Sequence, residues 1–357
     1  MRYLFPMVSN EVLFFVLFLV LVLALLFYDL GVFQHKKSHE VGIKEATGWT
    51  LVWVLFALGI FLFIRLDGEV IHGITDFAQL QQINRLHGHD LTLNESLGFQ
   101  ANIAMYRQVV SLQFLTGYLL EYSLSVDNIF VMLLLFASFN VPKAYHHRVL
   151  FWGILGAIVM RFLFIYVTAS LIQQFEWVLW IFGALLIFSG VKMFIERNKE
   201  EHIEVSHHPV VRFASKHFKV VPDFVGDAFF VKRQGQRMIT PLLLVVFVIE
   251  FTDVIFAVDS VPAIFSVTKD PFIVFSSNIC AVMGLRSLFF LVSHVMGLFH
   301  YLKIGLAVLL SFIGVKMLLD GIFHLSISTT WSLLAIVVIL GVSILLSVIF
   351  PKKNLVA

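Results

Sequence analysis

Hydrophobic residues occur along this chain in nine long, nearly unbroken stretches separated by polar segments. A helix needs about 20 mostly apolar residues to cross the hydrocarbon core of a bilayer, and each stretch is of that order. The pattern predicts an all-α, polytopic transmembrane helical bundle of about nine helices. The predicted spans are 11–30, 48–65, 112–138, 149–172, 177–195, 239–265, 273–299, 304–322 and 329–350.

Composition agrees with this pattern and excludes several classes of protein. Hydrophobic residues make up 59% of the chain and charged residues 13%, whereas a soluble domain carries about 25% charged residues. The single cysteine, Cys280, excludes a disulfide framework, and no phosphate-binding loop, dinucleotide fingerprint or nucleophile elbow is present. We therefore expect no enzyme and no tightly bound cofactor, and we expect the lipid bilayer rather than nucleic acid as partner.

The distribution of Lys and Arg predicts how the chain enters the membrane. With the N-terminus outside and the C-terminus inside, the inner segments hold sixteen of these residues and the outer segments five, and four more lie inside spans, out of 25. Basic residues favour the cytoplasmic side, so we expect this orientation.

The spacing of the spans divides the chain into five parts. The first external loop, 66–111, is long enough to hold a short interfacial helix, and the cytoplasmic loop contains a predicted hairpin that pairs 229–231 with 238–239. The predicted parts are two N-terminal accessory helices with the external loop (1–110), a three-helix unit (111–195), a charged cytoplasmic loop (196–238), a second three-helix unit (239–323) and a C-terminal accessory helix (324–357).

The two three-helix units resemble each other. EYSLSVDN at 121–128 matches DVIFAVDS at 253–260, and each match is followed by an apolar segment with one arginine, Arg161 or Arg286. FSGVKMF and FIGVKML then follow at an Arg-to-Lys spacing of 31 and 30 residues. Because each unit holds an odd number of spans, the sequence predicts an inverted-topology three-plus-three repeat, with a site near the midplane where the units meet.

Charged residues inside the spans are the main functional signal. A charge at a helix centre costs about 2.5–3.5 kcal/mol to insert, so each must be paired, hydrated, protonated or bound to a cation. Acids outnumber bases by six to four, and one divalent cation would neutralise the difference. The acids are Asp29, Glu121, Asp127, Glu250, Asp253 and Asp259, and the bases are Arg161, Lys192, Arg286 and Lys316.

Helical spacing limits which of these side chains can meet. Glu121, Ser125 and Asn128 share one helix face by their i, i+4, i+7 spacing. A spacing of six residues turns the direction by about 120°, so Asp253 and Asp259 reach one ion only if their helix kinks or unwinds, which Pro262 would permit. Arg161 and Arg286 are expected to act as structural counter-ions, and Lys192 and Lys316 to extend toward the helix ends.

The oxygen-rich set predicts a site for a hard cation. Carboxylate, amide and hydroxyl oxygens suit magnesium, calcium or manganese, and the residues alone do not decide among them. Permanent ion pairing is the structural alternative for the same acids. The candidate metal ligands are Glu121, Asp127, Asn128, Glu250, Asp253 and Asp259.

At these motifs the sequence resembles the TerC family of integral membrane proteins, named for tellurium resistance. The resemblance is carried by LTGYLLEYSLSVDNIFVMLLLF at 115–136, FGALLIFSGVKM at 182–193 and EFTDVIFAVDSVPAIF at 250–265. It covers 110–325 closely and is strongest to the alkali-inducible manganese exporter branch. It implies a manganese exporter of the LysE-type transporter superfamily, in a bacterial cytoplasmic (inner) membrane, with the same six ligands. Loop 66–111 is longer than the family pattern.

Two functions follow as hypotheses. The first is a transporter that exports a divalent cation, manganese before others, with protons as a possible coupling ion, because a carboxylate that releases a metal can take up a proton. The second is a membrane scaffold that acts in the metal-stress response or in the metallation of secreted proteins, without transport of its own. The charged loop 196–238 motivates the second hypothesis.

Overall fold

The computed structural model describes residues 4–29, 42–88, 91–175, 177–197, 208–233, 235–295, 301–323, 325 and 327–350. Within these ranges it contains thirteen α-helices, one 3-10 turn (Glu95–Leu97) and one two-stranded sheet. The elements are α1 Leu4–Asp29, α2 Ile43–Asp67, α3 Glu69–His72, α4 Phe77–His87, α5 Gly98–Ser138, α6 Lys143–Gln174, α7 Val178–Glu196, α8 Pro209–His217, β1 Phe230–Arg233, β2 Gln236–Ile239, α9 Pro241–Phe265, α10 Pro271–Met283, α11 Leu285–Val295, α12 Leu302–Phe323 and α13 Thr329–Ile349.

The polytopic helical architecture is confirmed. Nine helical segments of the described chain are long and apolar enough to cross a membrane, and they coincide with the nine predicted spans. Large apolar side chains on their outer faces are exposed, including Leu17, Leu55 and Leu345. Such surfaces are stable in lipid, where exposed apolar groups carry no penalty. The lysines at 36, 37, 352 and 353, which contribute to the predicted orientation, lie outside the described residues.

Helix α5 is longer than predicted. It begins at Gly98 rather than at 112 and runs for 41 residues, about 60 Å at 1.5 Å per residue and twice the thickness of the hydrocarbon core. The first turns of α5 contain Asn and Gln, so the hydropathy pattern did not identify them as part of the helix. Ile103, Tyr106 and Val110 nevertheless bury one face of this extension.

Helices α10 and α11 replace one predicted span, 273–299. The chain is interrupted at Gly284, and 296–299 lie outside the described residues. Asp270 begins α10 by accepting hydrogen bonds from the backbone N–H groups of Phe272 (3.0 Å) and Ile273 (3.3 Å), with Pro271 in the first turn. Every residue from Phe272 to Met283 is buried, so α10 is the centre of the bundle, packed against α5, α6 and α2.

Asp253 and Asp259 could reach one ion only if α9 kinked or unwound near Pro262, and this condition is not met. The helix is continuous through Phe265 with Pro262 inside it. Pro262 lies in the last turn, where only three residues follow it, and it therefore disturbs little of the helical hydrogen bonding. Asp253 and Asp259 consequently project in different directions from one regular helix.

The segment between α2 and α5 forms a folded cap, defined here as residues 68–97. It contains two short helices, α3 and α4, where the sequence predicts one. Asp76 caps α4 by accepting a hydrogen bond from the Gln79 backbone at 2.8 Å. Arg107 of α5 holds α3 through a bidentate pair with Glu69, in which Nε donates to Oε2 at 2.6 Å.

Two histidines of the cap are buried. His72 Nε2 lies 2.9 Å from Asp270 Oδ2. Burial disfavours the imidazolium, but the charge and the hydrogen bond of Asp270, together with the charge of Glu11, outweigh this effect, and the pKa of His72 is raised. For His87 burial dominates, and it lowers the pKa.

The described part of loop 196–238 is ordered by contacts with the bundle. The predicted hairpin is confirmed, with Phe230 opposite Ile239 and Arg233 opposite Gln236, and Gly235 turns at a φ of 78°. Helix α8 packs against α9. Arg148 of α6 pairs with Asp227 at 2.5 Å. Residues 198–207 of this loop lie outside the described residues.

Helices α7 and α12 pack closely through small residues. Gly190 lies against Ala307 and Ser311, whereas Gly183 lies against Gly314, so the contacts run in opposite directions along the two helices. The pair is therefore antiparallel, as an inverted repeat requires of these corresponding helices. The inverted relation of the two complete units remains a prediction.

The α7–α12 contact provides a test of packing. A Cβ at Gly314 would lie 2.6 Å from the carbonyl oxygen of Gly183, a backbone atom that cannot rotate away. We expect Gly314→Ala to reduce the free energy of unfolding by about 1–3 kcal/mol, the usual cost of overpacking. Gly341→Ala is the matched control, since no atom lies within 4 Å of its added Cβ, and it should be neutral or slightly stabilising. Unfolding in detergent measures both, and equal effects would contradict the packing.

The Glu69–Arg107 pair predicts a pH dependence. Burial opposes ionisation of Glu69, but the hydrogen bond and the charge of Arg107, together with a backbone hydrogen bond, outweigh it, and the pKa falls below the ordinary value of 4.5. The pair therefore stabilises the cap fully above pH 4.5, and its contribution disappears as the pH falls through the lowered pKa. Glu69→Gln should lose about 0.5–1 kcal/mol at neutral pH. Its melting temperature should converge with that of the wild type as the pH falls below the lowered pKa, and a constant difference at all pH values would contradict this.

Candidate cation site within the membrane

Arg161 lies at the centre of a buried polar cluster. It is on α6, fully enclosed, and contacts side chains from three other helices. Its Nη2 lies 3.1 Å from Asp253 Oδ1 of α9, and its Nη1 pairs with Glu121 Oε1 of α5. Nη1 also donates to Asn278 Oδ1 of α10 at 3.0 Å. Both acids and Asn278 are at most 2% exposed. We call Glu121, Arg161, Asp253 and Asn278 the central cluster.

The hydrogen bonds of the central cluster fix its geometry. The amide of Asn278 accepts from Arg161 through its oxygen and donates from Nδ2 to Glu121 Oε2 at 3.0 Å. An asparagine can therefore bridge a cation and an anion without rearranging. With both acids ionised, two negative charges and one positive charge leave a net charge of −1. Such a cluster in an apolar interior persists only if its groups are mutually satisfied.

Neutral oxygens surround this cluster on the same helix faces. Ser125 lies four residues after Glu121, Asn128 lies seven after it, and Ser260 lies seven after Asp253, and all three side chains are buried. The predicted shared face of Glu121, Ser125 and Asn128 therefore points inward. The hydroxyl of Ser125 has no hydrogen-bond partner among the described residues. A buried hydroxyl without a partner is costly, and a bound water or cation would satisfy it.

Asp127 and Asp259 meet at a different place. Both are half-buried and line one cavity of about 460 Å³, together with Ser189 and Lys192 of α7 and Lys303 of α12. Ser189 Oγ donates to Asp259 Oδ1 at 2.8 Å. Because α5 and α9 are regular, the six-residue spacing turns these acids away from the central cluster. Two acids from corresponding positions of the two units thus share an accessible cavity.

Glu250 occupies a third place. It lies against Gly156 of α6 in a cavity of about 520 Å³ whose other lining side chains are apolar, among them Trp152 and Phe229. Its Oε2 is buried and has no hydrogen-bond partner among the described residues. The three-residue spacing from Asp253 therefore does not bring Glu250 to Arg161. The structure thus distributes the six predicted ligands over three neighbouring locations, and their metal ligation remains a prediction.

Arg286 does not repeat the arrangement of Arg161. Its Nη2 donates to Oδ1 of Asp29 at 2.7 Å and to the Asp29 carbonyl at 2.9 Å, and its Nη1 lies 2.9 Å from His147 Nε2. Both arginines are counter-ions, as predicted, but Arg286 pairs with an acid of the N-terminal accessory helix α1. Lys316 is buried and donates to the Ser266 carbonyl at 3.1 Å, whereas Lys192 is exposed.

Sequence reasoning missed Asn278 and Ser189. Asn278 is the only amide in α10, where it follows Ser276 and Ser277 in a mostly apolar helix, and an amide at such a position signals a hydrogen-bonded partner in the membrane interior. Ser189 is one of many serines in the spans, and its sequence context gives no such signal. The Asp29–Arg286 pair joins residues 257 positions apart, a distance that no local spacing rule reaches.

The central cluster makes a stability prediction. Arg161→Met leaves two carboxylates buried without their counter-ion, and we expect a loss of about 3–5 kcal/mol in the free energy of unfolding. The triple variant Glu121→Gln/Arg161→Met/Asp253→Asn removes all three charges and should regain most of that loss. Arg212→Met is the control, because the Arg212 side chain of α8 is exposed, and it should change the free energy of unfolding by less than about 0.5 kcal/mol. Denaturant unfolding in detergent is the measurement. A triple variant that is no more stable than Arg161→Met would contradict the charge argument.

Comparison with known proteins places these features in a family. The family model "Integral membrane protein TerC family" matches residues 106–355. The chain is 39% identical over 334 residues to the uncharacterized membrane protein STKORF319 of Myxococcus xanthus, covering 93% of this chain and 91% of that one. It is 41% identical over 311 residues, 87% of each chain, to "Putative membrane-bound redox modulator Alx" of Salmonella typhi. It is 40% identical over 313 residues, 88% of each chain, to the protein of the same name in Escherichia coli K12. No solved structure matches. The chain is a multi-pass integral membrane protein with bacterial relatives, and it belongs to the TerC family.

Proposed function

We propose that this protein is a secondary transporter that exports a divalent metal cation, with manganese the leading substrate, across a bacterial cytoplasmic membrane. The observation that carries the proposal is the central cluster. Two fully buried carboxylates from corresponding positions of the two three-helix units hold one guanidinium. Such a pair of acids is a site for positive charge in the middle of the bundle, and Arg161 occupies it.

Charge balance explains why Arg161 suits a transporter. With the arginine in place the central cluster carries a net charge of −1, whereas Glu121 and Asp253 alone carry −2 and match one divalent ion. An entering cation that displaces the guanidinium would bind both carboxylates, with Asn278 and the hydroxyls of Ser125 and Ser260 as neutral oxygen donors. Oxygen ligands of this kind suit manganese, magnesium and calcium. Arg161 then acts as a tethered cation that keeps the site closed when no metal is present.

The cavity of Asp127 and Asp259 supplies a place of entry. It is open, and it is lined by three acids (Asp127, Glu196 and Asp259) and three bases (Lys192, Arg197 and Lys303), with the Ser189 hydroxyl beside Asp259. A cation bound between Asp127 and Asp259 would lie beside the same two helices, α5 and α9, that carry the central carboxylates. Movement of the two units relative to each other would transfer the ion between the two places, which is the alternating-access scheme of inverted-repeat transporters. Protons are the proposed coupling ion, and the N-terminus is placed outside.

The scaffold hypothesis and the relatives' name point to alternatives. The loop helix α8 and the hairpin pack on α6 and α9, so the described part of the loop is anchored to the bundle rather than presented separately to a partner.

The name of two relatives contains "redox modulator". With Cys280 as its single cysteine, this chain forms no internal disulfide. A redox influence exerted through metal supply is compatible with transport.

Transport by purified protein tests the proposal directly. In liposomes that contain a manganese-quenched dye, the wild type should admit Mn²⁺, and an opposing pH gradient should change the rate. Asp127→Asn and Asp259→Asn preserve side-chain size but remove the charge, and each should slow the initial rate at least about 10-fold, because one lost ion contact weakens binding by about 1.4 kcal/mol or more. Asp223→Asn, in the exposed loop, is the control and should keep the wild-type rate.

Two further measurements make the result decisive. Variants are compared only when they elute as folded protein and insert to the same extent. Mn²⁺ should raise the melting temperature of Arg161→Met more than that of the wild type, because the metal no longer competes with the guanidinium. Wild-type transport rates in both aspartate variants would contradict the proposed entry site. A melting temperature of Arg161→Met that Mn²⁺ does not raise would contradict the proposed metal site in the central cluster.

A further inference from the structure

A second group of metal-binding side chains lies away from the membrane centre, where the start of α1 meets the cap. Glu11 of α1, His72 at the end of α3 and His87 at the end of α4 bring one ligand atom each to within 4.8 Å of one another. Both histidines are buried and Glu11 is 26% exposed. None of these residues belongs to the central cluster, and all three precede residue 106, where the family match begins.

The hydrogen bond of His72 directs its other nitrogen into this group. Asp270, whose Oδ1 is held by the first backbone N–H groups of α10, accepts from His72 Nε2 through Oδ2 at 2.9 Å. An ionised carboxylate only accepts, so Nε2 carries a proton. His72 Nδ1 is buried, has no hydrogen-bond partner among the described residues, and lies 3.9 Å from Glu11 Oε2. Carboxylate–histidine–metal sites have this same arrangement of an outer acid and an inward nitrogen.

The backbone holds both imidazoles in place. Each histidine ends its helix and is followed by a left-handed glycine, Gly73 at a φ of 64° and Gly88 at 58°. A side chain at Gly73 would be strained and would also lie 2.6 Å from Asn10 Nδ2, beside Glu11. The rings of His72 and His87 have centroids 5.0 Å apart and planes tilted by 36°. The ligands are therefore largely positioned before any ion binds.

We propose that Glu11, His72 and His87 form a binding site for one divalent transition-metal ion, with Zn²⁺ the best match, and that Asp270 positions His72. Two imidazoles and one carboxylate are a known zinc ligand set, whereas magnesium and calcium take oxygen ligands. Ligand atoms around zinc lie about 3–4 Å apart at bond lengths of about 2.0–2.2 Å, so the group closes by about 1 Å on binding. The site is independent of the proposed transport.

Metal binding to the full-length protein in detergent tests this site. After removal of metal with a chelator, Zn²⁺ and Mg²⁺ are compared by equilibrium dialysis, and zinc X-ray absorption identifies the ligand atoms. Imidazole scattering distinguishes this site from the central cluster and from the Asp127–Asp259 cavity, neither of which contains a histidine. We expect Zn²⁺ binding with an imidazole signal and no displacement by equal Mg²⁺.

Matched variants locate the ion. His87→Gln and Glu11→Gln should weaken Zn²⁺ binding by more than about 100-fold, and Asp270→Asn by about 10–100-fold, the usual effect of losing an outer partner. His217→Gln, on exposed α8, is the histidine control and should bind as the wild type does. Melting temperatures without metal identify folded variants, and if one variant does not fold the other decides. Zinc binding without imidazole scattering, or unchanged affinity in a folded His87→Gln or Glu11→Gln variant, would overturn the proposal.

Discussion

The fold depends on how charge is kept inside an apolar bundle. A single unpaired carboxylate in such surroundings costs several kcal/mol, so each buried acid restricts which helices can lie beside it. Arg161 meets this constraint for two acids at once, and its partners come from α5, α9 and α10. The central cluster therefore fixes the mutual positions of four helices that apolar packing alone would allow to slide. Enclosed α10 contributes the amide that completes the network.

The same constraint explains why the two units differ despite their similar sequences. If Arg286 had repeated the role of Arg161 at the same acids, two guanidinium groups and two carboxylates would crowd one point. Instead Arg286 reaches Asp29 of α1 and His147 of α6. An accessory helix outside the repeat thus supplies the counter-ion for the second unit. The first unit keeps its arginine at the interface, and the likeness of the two motifs is one of sequence rather than of electrostatic role.

Much of the architecture could be predicted, because lipid imposes a strong and local rule. Span positions follow from unbroken hydropathy, and the hairpin from its flanking apolar residues and Gly235. The counter-ion role of Arg161 was predictable, because acids outnumber bases in the spans and an unpaired acid is costly in an apolar interior. The start of α5 was not predictable, since its polar first turns are buried by the cap rather than by lipid. The separation of Asp253 from Asp259 was not predictable either, because Pro262 was compatible with an unwound α9, whereas the helix in the structure is continuous.

The buried basic side chains also bear on which kind of ion the interior of the bundle can bind. Arg161 is committed to two acids, Arg286 to Asp29, and Lys316 to the Ser266 carbonyl. Each of these three basic side chains thus already donates to an oxygen acceptor. Among the described residues, the buried Nε of Arg286, the hydroxyl of Ser125 and one oxygen of Glu250 have no hydrogen-bond partner. An anion would need converging donors, each of which must first be taken from its present oxygen acceptor. A cation needs only to replace one guanidinium, so the interior suits a bound cation better than a bound anion.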